Sequence, residues 1–76
     1  MALIKSVHWK DFERFLLAYG CRFTRENGDH RIYWKAGIIR PLVVPRQTPL
    51  AVFVILNNLR ILKVSREEYL KIMEKL

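Results

Sequence analysis

The chain has 76 residues, which is one small domain over 1–76 with a marginal core, worth roughly 3–5 kcal/mol without a staple or a partner, so association with a partner or with copies of itself would help it. Fourteen Lys and Arg against seven Asp and Glu leave a formal charge of +7, which favours a polyanionic partner and puts nucleic acid first, although the same charge would also keep a small domain in solution. The single cysteine, Cys21, excludes an internal disulfide, and no paired Cys/His framework calls for a metal nor any motif for a cofactor, so a cytoplasmic protein is expected.

Met1 to Val7 lacks the apolar run and small-residue cleavage site of a secretory signal. The most apolar stretch, Leu50 to Leu56, is far shorter than the ~20 residues that span a bilayer. No helix pairs a clean basic face with an apolar one, so no membrane contact is expected.

Trp9, Phe12, Phe15, Leu16 and Tyr19 recur at helical spacing up to Gly20, which predicts a first helix over roughly 9–19. His8 stands at the N-cap position, Val7 and Phe12 are placed as a hydrophobic staple, and Asp11 suits the dipole in the first turn. Cys21 and Phe23 then alternate with Arg22 and Thr24, Glu26-Asn27-Gly28-Asp29 supplies turn chemistry, and Arg31 to Trp34 has strong strand propensity, which together predict a hairpin. A third β-rich segment, Ile38 to Val44, follows Ala36-Gly37, and Pro41 within it argues for an edge strand or a bulge. Connections this short make the three strands an antiparallel meander.

Thr48-Pro49 has the form of a cap followed by proline at the first helical position. Val52, Ile55, Leu59 and Leu62 then recur at spacings of three, four and three, predicting a second helix over roughly 50–62. The β-branched run Ala51 to Ile55 would also suit a strand, but the helical period persists to Leu62. Ser65-Arg66-Glu67-Glu68 is a capping box with Val64 and Tyr69 as its staple, so a short third helix should reach the C-terminus. The fold class is therefore α+β in the order α-β-β-β-α: a three-stranded antiparallel sheet packed on two helices, with a short extra helix.

That order, together with a series of local motifs, resembles the HicA-type toxins of toxin–antitoxin systems, whose fold is similar to double-stranded-RNA-binding domains. The motifs are Trp9-Lys10, Gly20, Arg25, the turn and strand Gly28-Asp29-His30-Arg31-Ile32-Tyr33, then Val44-Pro45-Arg46, and the C-terminal Leu59-Arg60, Leu62, Val64-Ser65 and Glu67-Glu68-Tyr69. The chain departs from the family pattern at Asp29, where Ser is usual, at Gln47, where His often follows, and at Lys63, where a glycine normally ends the second helix. Asn58 stands at a position usually apolar, while Phe53, Leu56 and Ile61 occupy positions usually small or polar.

The resemblance implies a metal-independent endoribonuclease that cleaves mRNA with His30 as general base, supported by the Gly28-Asp29 turn and silenced by a HicB-type antitoxin. Histidine suits that role because its ordinary pKa, about 6.5, lets it take and return a proton near neutrality. Arg25, Arg31 and Arg46 are the candidate phosphate contacts. Asp29 either orients the imidazole or only shapes the turn, and His8 is either a cap or a second proton-transfer group. Strand alternation puts Ile32 and Trp34 on one face and Arg31, Tyr33 and Lys35 on the other, and the latter, if exposed, is an RNA surface of two cations around an aromatic. Phe53, Leu56 and Ile61 lie off the core stripe of the second helix and form either a protein-partner surface or the seat of the third helix. A non-catalytic RNA-binding module and a purely protein-binding domain are the competing readings.

Overall fold

In the computed structural model, which describes residues 3–76, helix α1 spans Trp9–Ala18. Met1 and Ala2, at the head of the segment read for a secretory signal, lie outside the described residues. His8 caps α1 as expected: its Nδ1 accepts the Lys10 N–H at 3.1 Å, which satisfies one of the donors that a helix start leaves open. The helix stops one residue earlier than its apolar spacing suggests. Gly20, at φ +101, lets the chain reverse, with Cys21 N–H donating to Leu16 O at 2.9 Å and Gly20 N–H to Leu17 O at 3.2 Å.

Strands β1 (Arg22–Asn27), β2 (His30–Trp34) and β3 (Leu42–Pro45) form one antiparallel sheet in the order β1-β2-β3. The hairpin is tighter than expected, because Glu26 and Asn27 belong to β1 and the turn itself is only Gly28-Asp29. Gly28 sits at φ +64 and Asp29 at negative φ, the pattern of a type II′ turn, which matches the twist of the strands it joins. β3 is shorter than the predicted 38–44. Pro41 carries no N–H for a ladder and ends a loop in which Ile39 is exposed, so pairing begins only at Leu42.

A bulge between Phe23 and Arg25 puts one extra residue into β1. One inserted residue turns every later side chain to the opposite face, so Arg25 and Asn27 share a face with Ile32 and His30 while Glu26 joins Arg31. The open face is the reverse of the one expected. Tyr33 is fully buried opposite Leu42, and Val44 is buried opposite Arg31, so the Arg31–Tyr33 face meets the helices. Arg22, Arg25, His30, Ile32, Trp34 and Val43 lie on the other face, away from α1.

Helix α2 covers Val52–Leu62, and its N-cap is Ala51, with no side-chain cap. Thr48-Pro49 therefore does not start it. Leu50 is fully buried and donates its N–H to Val7 O at 2.6 Å in an isolated antiparallel bridge, which keeps the backbone extended up to Ala51. Helix α3, Arg66–Glu74, begins as expected, with Ser65 Oγ accepting the Glu68 N–H at 3.1 Å.

The core fills the space between the sheet and the helices. Phe12, Phe15 and Leu16 from α1 meet Tyr33, Leu42 and Val44 from the sheet and Ile55, Leu59 and Leu62 from α2. Burial of each such side chain contributes about 1.5–3 kcal/mol. α3 docks on α1 through Tyr69, whose ring meets Phe15 edge-on at 4.8 Å between centroids and 81° between planes.

Candidate active site

His30 opens β2 directly after the turn, on the open face of the sheet, with 52% of its side chain exposed. Its Nδ1 lies 2.8 Å from Asp29 Oδ1. A carboxylate at that distance holds the proton on Nδ1 and leaves Nε2 as a free acceptor, the tautomer that a general base needs. Arg46 N–H donates to Asp29 O at 2.8 Å, so the segment after β3 clamps the turn that carries His30.

Arg46 reaches the same neighbourhood through its side chain, pairing with Glu26 Oε2 at 3.3 Å while remaining half-exposed. Arg25 is exposed on the His30 face, and among the described residues no carboxylate pairs with it. These two cations stay available to an anion.

The other three predicted contacts are turned elsewhere. Arg31 Nε donates to Glu13 Oε2 and to Tyr33 Oη, both at 3.0 Å, and its Nη1 donates to Glu26 Oε1 at 2.8 Å. Its guanidinium also stacks 4.0 Å from the Phe23 ring centroid. The Tyr33 hydroxyl donates in turn to Glu13. Arg31 thus ties α1, β1 and β2 together, with its own charged form favoured first by the Tyr33 hydroxyl and then by the two glutamates. Burial holds the Tyr33 phenol protonated far above its usual range, and the bond to Glu13 adds to this. Lys35 lies on the helix side as well, its Nζ 5.7 Å from the Tyr19 ring. Arg31, Tyr33 and Lys35 hold the sheet to α1 and do not form an exposed RNA face.

Beside His30, β3 and α2 enclose a groove of about 720 Å³. Val43 and Pro45 form one wall and Phe53, Leu56, Asn57 and Arg60 the other, with Gln47 and His30 at the end near the turn. Phe53, Leu56, Asn57 and Arg60 follow the i, i+3, i+4, i+7 pattern of a single helix face, opposite the core stripe. That spacing was present in the sequence, and it would have found Asn57 and Arg60. Ile61, grouped with Phe53 and Leu56 from sequence, lies around the helix from them and packs against the core. α3 docks on α1 and leaves Phe53 74% exposed.

Among the described residues, no three His, Cys, Asp or Glu side chains are grouped to hold a metal ion. None of the described helices is long and apolar enough to cross a membrane. Cys21 is a buried free thiol whose pKa burial pushes up, as suits a packing residue.

The fold and site define a small basic α+β domain with a carboxylate-oriented histidine at a hairpin turn, beside an open groove. A family model described as the HicA toxin of bacterial toxin–antitoxin matches residues 9–52, more than half of the chain and including the turn, His30 and Val44-Pro45-Arg46. The chain belongs to the HicA toxin family, and as such is a toxin of a toxin–antitoxin system. No curated protein and no solved structure matches it.

Proposed function

We propose that this protein is an endoribonuclease that cleaves mRNA with His30 as general base and is kept silent by a HicB-type antitoxin. The observation that carries the proposal is the 2.8 Å contact between His30 Nδ1 and Asp29 Oδ1, which leaves Nε2 as the free acceptor of a half-exposed side chain. RNA supplies its own nucleophile. Nε2 takes the proton of a ribose 2′-hydroxyl, the 2′-oxygen bonds to the adjacent phosphorus, and the bond from phosphorus to the 5′-oxygen breaks as that oxygen takes up a proton. The products are a 2′,3′-cyclic phosphate and a 5′-hydroxyl. Arg25 and Arg46 stabilise the charge that builds on the phosphate oxygens, worth several kcal/mol where the donors are already in place. An antitoxin that covered the open sheet face and the His30 turn would block access to RNA.

The test is to incubate the protein and its His30→Ala variant with a defined single-stranded RNA in EDTA and to identify the fragment ends. Cyclic-phosphate ends are expected from the parent, and a rate at least ~100-fold lower from His30→Ala. RNA left intact by a parent that demonstrably binds it would instead support a non-catalytic RNA-binding module.

A further inference from the structure

We propose that the groove between β3 and α2 is a nucleotide subsite for single-stranded RNA, in which an unpaired base stacks on Phe53 while Arg60 holds the neighbouring phosphate. The proposal rests on the ribonuclease reading and specifies the form of RNA that the same site takes.

Phe53 is an unused contact surface, an aromatic ring 74% exposed on a helix that otherwise buries its apolar stripe. It stands on the same helix face as Asn57 and Arg60, with Arg60 roughly 10 Å further along the axis at ~1.5 Å per residue. That separation is covered by one nucleotide and its flanking phosphate. Val43 and Leu56 make the facing walls apolar, as suits the plane of a base, and the Asn57 amide can both donate to and accept from its edge.

Charge selects the occupant. No Asp or Glu lines the groove, whereas Arg60 does, and among the described residues no carboxylate pairs with Arg60. A polyanion therefore enters without desolvating an opposing carboxylate. His30 stands at the same groove, so a nucleotide seated on Phe53 brings its backbone toward the general base. Duplex RNA cannot use this surface, because its bases are stacked and paired and offer no free face to a ring, while an unpaired base can splay out onto an aromatic side chain. Base–aromatic stacking of this kind carries affinity without demanding one particular base.

The test measures binding separately from cleavage. In a His30→Ala background, fluorescence anisotropy of a labelled single-stranded RNA is compared with and without Phe53→Ala, Phe53→Trp or Arg60→Gln. The proposal expects Phe53→Ala to weaken single-stranded binding by about 10-fold, Phe53→Trp to restore it, and duplex RNA to bind equally well throughout. Arg60→Gln should weaken single-stranded binding and lower its salt dependence. Phe53 is mostly exposed, so an unchanged thermal midpoint should accompany each of its substitutions.

Single-stranded affinity unaltered by Phe53→Ala, or an equal loss for single-stranded and duplex RNA, overturns the subsite. So does self-association that Phe53→Ala abolishes while RNA affinity stays intact, which would make the groove an interface between copies. Because turnover is removed in every variant compared, failure of the parent to cleave RNA leaves this test standing, and failure of the subsite leaves the cleavage test standing.

Discussion

Arg25 and Arg31 carry the same charge on neighbouring strands and have opposite fates. Arg31, only 21% exposed at its side chain, is held by Glu13 and Glu26 and stacked on Phe23, so its removal would loosen the sheet from α1. Arg25 is turned by the β1 bulge onto the face that carries His30. Residue type alone made both equal candidates, and only the neighbours in space separated them. Tyr69 illustrates a different residue-scale balance. Its hydroxyl is buried with no partner among the described residues, and its pKa is pushed up to about 12, first by burial and then by Asp11. An unfolded tyrosine ionises from about pH 10, whereas the folded one keeps its proton to about pH 12. Unfolding therefore releases a proton in that window, and stability, fully present below about pH 10, falls as pH rises toward 12. Tyr69→Phe should raise stability at neutral pH by roughly 1 kcal/mol, by removing an unpaired buried group. Urea midpoints at pH 8 and pH 11 should also differ less in this variant; Tyr33, shifted in the same direction, keeps part of the slope.

At the scale of the element, α2 ends on a residue ill-suited to its backbone. Lys63 adopts φ +61 and ψ +42, with Val64 N–H donating to Leu59 O at 3.0 Å and Lys63 N–H to Arg60 O at 3.2 Å. This is the same reversal that Gly20 makes after α1, but here a side chain occupies the left-handed position that glycine favours. Lys63→Gly should stabilise the protein by about 0.5–1 kcal/mol, read as a higher denaturant midpoint with an unchanged m-value. The departure from the family's glycine was visible in the sequence, and the structure shows that the reversal is made regardless. Asn58, the other anomaly in α2, is buried and donates from Nδ2 to Val43 O at 3.2 Å. A polar residue at a position usually apolar is thus a tie between α2 and the edge strand, satisfying a carbonyl that no further strand among the described residues pairs. α2 starts later than its apolar period predicts because Leu50 is drawn into the bridge with Val7.

For the whole molecule, the charge of +7 is divided between structural and open positions. Arg31 is consumed by the fold, while Arg25, Arg46 and Arg60 lie around the sheet end and the groove. RNA affinity should therefore fall linearly on a log–log plot against salt, and Arg25→Gln should lower that slope by about 0.7, the contribution of one phosphate contact on a single strand. A slope equal to the parent's would place Arg25 outside the RNA path. The groove itself joins β3 to a helix face, and it exists because α2 packs against the edge of the sheet through Asn58.

Element order, the caps at His8 and Ser65, the hairpin turn and the family's His30 motif were all legible in the sequence, because each depends on residues a few positions apart. The spacing of Phe53, Asn57 and Arg60 was legible too, but it had no meaning until a second wall stood opposite. Which face of the sheet is open depended on tertiary contacts: a one-residue bulge in β1 and the demand of Tyr33 and Arg31 for Glu13 on α1. Alternation along a strand fixes which residues share a face, but the choice of the face that meets solvent belongs to the helices that pack on the other.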